Sequence, residues 1–190
     1  MKHFKILHLS FIPLFFLTEC HVWNFYPDPN DPSLSRFTSR GYNIASSYVN
    51  GISYLSNGTY NPLLHKDSTG NSIDTLQFTW PLYNNDPYIH TVYTNISFLL
   101  PVPQSFNKAN FLTFNGQRFM NSVPFTIQDT SSKTVSGMGT LYFVTVSEVV
   151  SSANQKFIKL SGLFDGNIGD SVLVTKGRFD FEIDENTLNF

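Results

Sequence analysis

Gly177-Arg178-Phe179-Asp180-Phe181-Glu182-Ile183, close to the end of a 190-residue chain, decides the fold class. Phe179, Phe181 and Ile183 recur at every second position, with Arg178, Asp180 and Glu182 between them. Successive side chains of a strand point to opposite faces, so this spacing implies one buried face and one wet face. Other segments upstream repeat the signal. Phe157 to Phe164 sets Ile158, Leu160 and Phe164 on one side, and Gly139 to Val150 is a long run of β-branched and aromatic residues. Val92 to Leu100 aligns Val92, Ile96, Phe98 and Leu100 before Pro101 and Pro103 stop it. Val123 to Gln128 reads as an edge strand, and Phe111 to Phe114 as a short apolar stretch ending at the Asn115-Gly116 turn. Asn50-Gly51 lies between Tyr48-Val49 and Ile52-Ser53-Tyr54, the strongest hairpin signal in the chain, because a type I′ turn needs positive φ at both central residues. Residues 61–74 read as loop, and helical periodicity is confined to a short segment within residues 104–110. Short strands at regular spacing predict an all-β domain over residues 41–190, an antiparallel β-sandwich or a partly open β-barrel.

The N-terminus reads differently. Lys2 and Lys5 precede an apolar stretch from Ile6 to Leu17, the length of a signal-peptide core and short of the roughly 20 residues that span a bilayer. It ends at Leu17-Thr18-Glu19-Cys20, and Cys20 is the chain's one cysteine. This resembles the lipobox of bacterial lipoproteins in Leu17 and Thr18, and departs from it at Glu19, where a small residue is usual. The expectation is a signal peptide over residues 1–19, lipidation of Cys20, and a flexible tether over residues 20–40, where Pro27, Pro29 and Pro32 argue against helix or central strand. The membrane is then reached through the lipid.

Composition narrows the function classes. Charged residues are 14% of the chain, against roughly 25% in typical soluble domains, so Ser, Thr and Asn must supply most of the polar surface. Net charge is −2, and removal of residues 1–19 takes away two lysines and one glutamate to leave −3. Lysine and arginine are scattered, which argues against a nucleic-acid partner. One cysteine excludes an internal disulfide and a Cys-based zinc site. No Gly-x-Ser-x-Gly, His-Glu-x-x-His or phosphate-binding loop is present, and no cofactor is expected.

The domain's Val49-Asn50-Gly51 opening and its closing Ser161-Gly162-Leu163-Phe164 and Gly177-Arg178-Phe179-Asp180-Phe181 resemble small envelope lipoproteins of unknown function from Bacteroidetes-type bacteria. The resemblance implies an all-β domain behind a multiply acylated N-terminal cysteine and supplies no activity. The expected location is the cell envelope, on the outer membrane, or the exterior as a secreted protein if Cys20 is not acylated. The expected role is a non-catalytic binding or scaffold module, whose partner is a glycan or another envelope protein. A carboxylate-based glycoside hydrolase or a carbohydrate-binding lipoprotein is the alternative.

Two segments could carry a site. Residues 80–90 gather Trp80, Tyr83, Tyr88 and His90 around Asn85 and Asp86, and Pro81 and Pro87 stiffen the loop. Aromatic faces and amide or carboxylate groups together are what a sugar ring needs, while the same rings would serve equally as core residues beside a turn. Asp165, Asn167 and Asp170 are spaced around Gly166 and Gly169, either as a hard-cation loop or as a polar hairpin turn.

Overall fold

A computed structural model describes residues 27–58, 60–67, 73–84 and 92–188. Twelve strands lie among them: β1 (Pro27–Asp28), β2 (Asp31–Ser35), β3 (Ile44–Val49), β4 (Ile52–Asn57), β5 (Leu63–His65), β6 (Ile73–Pro81), β7 (Tyr83–Asn84), β8 (Tyr93–Pro103), β9 (Arg118–Asp129), β10 (Thr134–Val150), β11 (Lys156–Ile168) and β12 (Val172–Asp184). The one α-helix, α1 (Lys108–Leu112), is a single capped turn or so in which Asn107 and Asn110 satisfy each other's backbone donors. The all-β antiparallel class read from the alternation is what the chain adopts.

Ten strands form one sheet in the order β5-β6-β8-β9-β10-β11-β12-β3-β4-β7. The middle of that order, β8 to β12, is a meander of long strands. The Asn50-Gly51 hairpin then adds β3 and β4 beside β12, with φ of 50° and 80° at the two turn residues, as a type I′ turn demands. The ends of the order meet through the chain itself. β6 lies near one end and β7 at the other, yet only Leu82 separates them. Leu82 N–H still donates to Thr94 of β8 at 2.7 Å, whereas Tyr83 and Asn84 already pair with Leu55 and Tyr54 of β4. The sheet therefore curls into an open barrel whose facing walls pack as two layers, and the strand that begins on one wall finishes on the other.

Rings fill the space between the walls. Trp80 of β6 is 2% exposed and lies against Phe98, Phe164, Phe179 and Phe181 at centroid distances of 5.2–5.8 Å. Phe78 meets Phe143 at 5.5 Å, and Phe143 meets Phe114 at 5.4 Å. The wall facing Phe125 must be thin for this to fit. A Cβ on Gly166 would stand 2.3 Å from the Phe125 ring, and one on Gly162 would stand 2.3 Å from the Tyr142 carbonyl oxygen. These inward glycines let rings rest on bare backbone, and register shifts beside them bend the strands round the core.

Several local readings change. Residues 61–74 hold β5 and the start of β6. The helix falls at the end of the expected segment and takes in Phe111, which is fully buried and stacks on Phe78. β9 is an interior strand between β8 and β10, and Pro124 is tolerated because the β8 ladder stops at Phe125, so its missing N–H faces no partner there.

The largest change concerns the expected tether. From Pro27 onward it packs on the outside of β12 and β3. β1 and β2 form a two-stranded ribbon, in which Asp28 caps the turn through the Asn30 N–H. Leu34 is fully buried, Ser35 bonds Ser46, and the Thr38 hydroxyl and the Arg40 and Gly41 N–H groups donate to Asp180. The face of β12 read as wet is thus covered: Asp180 is 2% exposed. The expected signal peptide and Cys20 lie outside the described residues.

Candidate binding groove

The register of β9 to β12 sets out the outward-facing residues as rungs. Arg118, Tyr142, Leu163 and Arg178 are consecutive partners across the four strands. Two residues along, Thr140 pairs with Asp165, and two further along, Met138, Asn167 and Leu173 align. The middle rung is flanked by two bulges. On β9 the register with β10 shifts opposite Thr140, and on β12 the register with β11 shifts opposite Asp165. Each bulge holds a non-glycine residue in the left-handed region, Asn121 at φ 48° and Lys176 at φ 52°. Such backbone costs on the order of 1 kcal/mol per residue and collects at sites that need a side chain re-aimed. Here Asn121 exchanges hydrogen bonds with the Thr140 hydroxyl, and Lys176 is turned outward beside Asp165.

The bent surface is concave. Arg118, Thr140, Tyr142, Leu163, Asp165, Lys176 and Arg178 line a groove of about 450 Å³. A second hollow of about 360 Å³, lined by Asn121, Met138, Asn167 and Leu173, continues it and shares Asp165 and Lys176. Leu163 is 39% exposed and forms apolar floor beside Tyr142.

Two of the three cations are already engaged by the N-terminal ribbon. Arg178 bonds the Asp28 carboxylate and the Ser35 carbonyl, and Lys176 bonds Asp31 at 2.9 Å while lying 5.6 Å from the Tyr48 ring centroid. Asp31 also accepts from the Tyr48 hydroxyl at 2.6 Å. The Asn30 N–H and then Arg178 hold the Asp28 carboxyl below the ordinary aspartate value of 3.8, and the Tyr48 hydroxyl and then Lys176 do the same for Asp31. Hydrogen bonding to Asp31 raises the Tyr48 phenol and Lys176 in turn. The Arg118 and Asp165 side chains make no hydrogen bond or ion pair with the described residues.

This electrostatic clasp has a defined pH dependence. Carboxyls depressed in the folded state contribute stability that is present above their unfolded value and lost as pH falls through the folded one. The ribbon over residues 27–35 is therefore expected to loosen as pH falls below the ordinary aspartate value of 3.8, while the barrel stays folded. Amide protection factors, normalised to intrinsic exchange at each pH, should fall there first. Unchanged protection of residues 27–35 relative to β10 and β11 would count against the clasp.

Of the residues expected from sequence, Trp80, Tyr83, Asp165, Asn167 and Asp170 are described. Trp80 belongs to the core, so its face is occupied by phenylalanines and offers no stacking platform. Tyr83 is 49% exposed on β7. Asn85, Asp86, Tyr88 and His90 lie outside the described residues. Asp165 and Asn167 are not in a loop: β11 continues to Ile168, and Gly166 pairs with Val174. The turn comes later, at Gly169 to Ser171, and contains Asp170. An extended strand cannot wrap an ion, and among the described residues no group of three His, Cys, Asp or Glu side chains is placed to hold one. Arg118, Tyr142, Leu163 and Lys176 were not singled out by the sequence reading. Their signal is the outward half of each alternation, which locates a face without showing that bulges make it concave. Comparison with protein-family models, with curated proteins and with solved structures found no match.

Proposed function

We propose that this chain is a lipid-anchored cell-envelope module that binds a polar ligand through the outer face of β9 to β12 without performing chemistry on it. The observation that carries the reading is the groove itself. It is a continuous concavity on the sheet's outer face, made by two strained bulges, with an apolar floor and charged walls. Ligand sites combine such floors with a few convergent polar groups. A paired-acid hydrolase needs a second carboxylate facing the first across the cleft, and Asp165 is the one carboxylate in the lining.

The anchoring half rests on the N-terminal sequence. Lipidation of Cys20 leaves six residues before the packed ribbon begins at Pro27. At about 3.5 Å per residue they reach roughly 20 Å, so the barrel would be held close to the membrane.

Two measurements test the reading. The wild-type protein is expected in the detergent phase with acyl mass on Cys20, and Cys20→Ser in the aqueous phase. An unmodified Cys20 in a soluble product refutes the anchoring. The soluble Cys20→Ser protein is expected to co-sediment with isolated cell envelopes. Adding Leu163→Arg, an exposed position that fills the groove, should remove most of that binding. Equal retention of both proteins refutes the groove as the binding face.

A further inference from the structure

The geometry points to an acidic sugar as the ligand of this groove, with its carboxylate on Arg118, its hydroxyls on Asp165 and its ring on the floor formed by Tyr142 and Leu163. The inference rests on the reading of the groove as a binding face and adds the chemical class of what binds there. Three observations carry it.

First, a guanidinium and a carboxylate, both unpaired among the described residues, face the same concavity without meeting each other. Arg118 sits at one end of its rung, and Asp165 lies on the next rung, two strands away. A ligand that satisfies both must offer an acceptor anion to one and hydrogen-bond donors to the other. A guanidinium takes a carboxylate through two parallel N–H bonds, and a carboxylate can accept from hydroxyls through both of its oxygens. A sugar acid carries both groups on one ring. An acidic peptide carries the anion, but its further carboxylates would be repelled by Asp165.

Second, two of the groove's three cations already hold carboxylates from outside its lining. Asp28 and Asp31 occupy Arg178 and Lys176 from the ribbon side. Those contacts neutralise the cations at the far wall, so Arg118 is the site's uncompensated positive charge. The ligand is expected to carry one anion per bound ring, not to be a dense polyanion.

Third, the floor between Arg118 and Arg178 is a half-buried phenol ring followed by an exposed leucine. The two arginine Cα positions are three strand spacings apart, roughly 14 Å. Apolar surface of that width suits the C–H face of a sugar ring, with polar groups arranged around it.

The test uses the full-length protein in detergent and three probes: an oligogalacturonate, its methyl ester and pentaglutamate. The methyl ester keeps every hydroxyl and replaces each carboxylate with a neutral ester. The oligogalacturonate is expected to bind saturably, with the ester and pentaglutamate each at least tenfold weaker. Arg118→Gln should weaken oligogalacturonate binding at least tenfold and Asp165→Asn by several-fold, both with an unchanged melting temperature because both side chains are exposed and have no partner among the described residues. Equal binding of the ester shows that the charge is not read, and overturns the proposal. Pentaglutamate binding as tightly as the sugar acid assigns the groove to an acidic peptide and also overturns it. Absence of saturable oligogalacturonate binding overturns it too. If that absence accompanies envelope binding that Leu163→Arg still abolishes, only the ligand class falls. If envelope binding is also indifferent to Leu163→Arg, the groove falls as the binding face.

Discussion

Trp80→Ala is expected to destabilise the protein by about 4 kcal/mol, the middle of the range for removing a buried aromatic side chain. Trp80 sits where the two walls of the barrel face each other. Its ring meets Phe98 on its own side and Phe164, Phe179 and Phe181 on the other. It is also two residues before Leu82, where the chain steps from β6 to β7 and ties the ends of the sheet together. The cavity left by an alanine would be bordered by Phe179 and Phe164, rings already pressed against Gly162 and Gly177, so the surroundings have little room to collapse into it. Urea unfolding monitored by circular dichroism gives the number. Trp80→Phe retains part of the contact surface and should lose about half as much. A cost below about 1 kcal/mol for the alanine variant would mean that the walls are not held by this ring. A loss of this size approaches the whole stability of many small domains.

The fold was legible where one short signal settles geometry. Asn50-Gly51 specifies a turn by φ alone, and the Phe179-Phe181-Ile183 alternation specifies a face by period alone. Both need only neighbours in sequence. Barrel closure was not legible, because it depends on Leu82 pairing to one strand while Tyr83 pairs to another, and nothing in Pro81-Leu82-Tyr83 distinguishes that step from a strand ending. Prolines misdirected the reading of residues 27–40. Pro27, Pro29 and Pro32 do exclude a central strand, but a two-stranded ribbon has outer edges that require no N–H, and the same prolines are compatible with it. Trp80 was ambiguous for another reason: a strand-borne aromatic next to a turn can face either way, and the alternation Asp74-Leu76-Phe78-Trp80 that turns it inward becomes decisive only once the strand is known to begin at Ile73. The groove was the least legible feature. Its residues come from four strands, and its concavity comes from two bulges whose left-handed residues, Asn121 and Lys176, have no distinctive sequence context.

Asp180→Ala is expected to cost about 2–3 kcal/mol and to free residues 36–41 from the barrel. Asp180 points outward from β12, the direction in which sequence alternation places a solvated charge, yet it is 2% exposed because the chain lies over it. One carboxylate oxygen accepts from the Thr38 hydroxyl and the Arg40 N–H, and the other from the Gly41 N–H at 2.7 Å. Charge-assisted bonds of this kind contribute roughly 1.5–3 kcal/mol each when buried. The sum is discounted because, once the carboxylate is gone, the two backbone donors lie on a surface segment that can turn to water. Asp180→Asn keeps one acceptor oxygen but presents an NH₂ where a donor already stands, so it should recover less than half of the loss. Hydrogen exchange locates the effect. Amides of residues 36–41 should exchange at least tenfold faster in the alanine variant, and the ribbon at residues 27–35 should follow only partly, since Asp28 and Asp31 remain paired with Arg178 and Lys176. If global unfolding shifts while residues 36–41 keep their protection, the carboxylate stabilises β12 rather than holding the N-terminal segment, and the clasp would rest on the ribbon's two ion pairs alone.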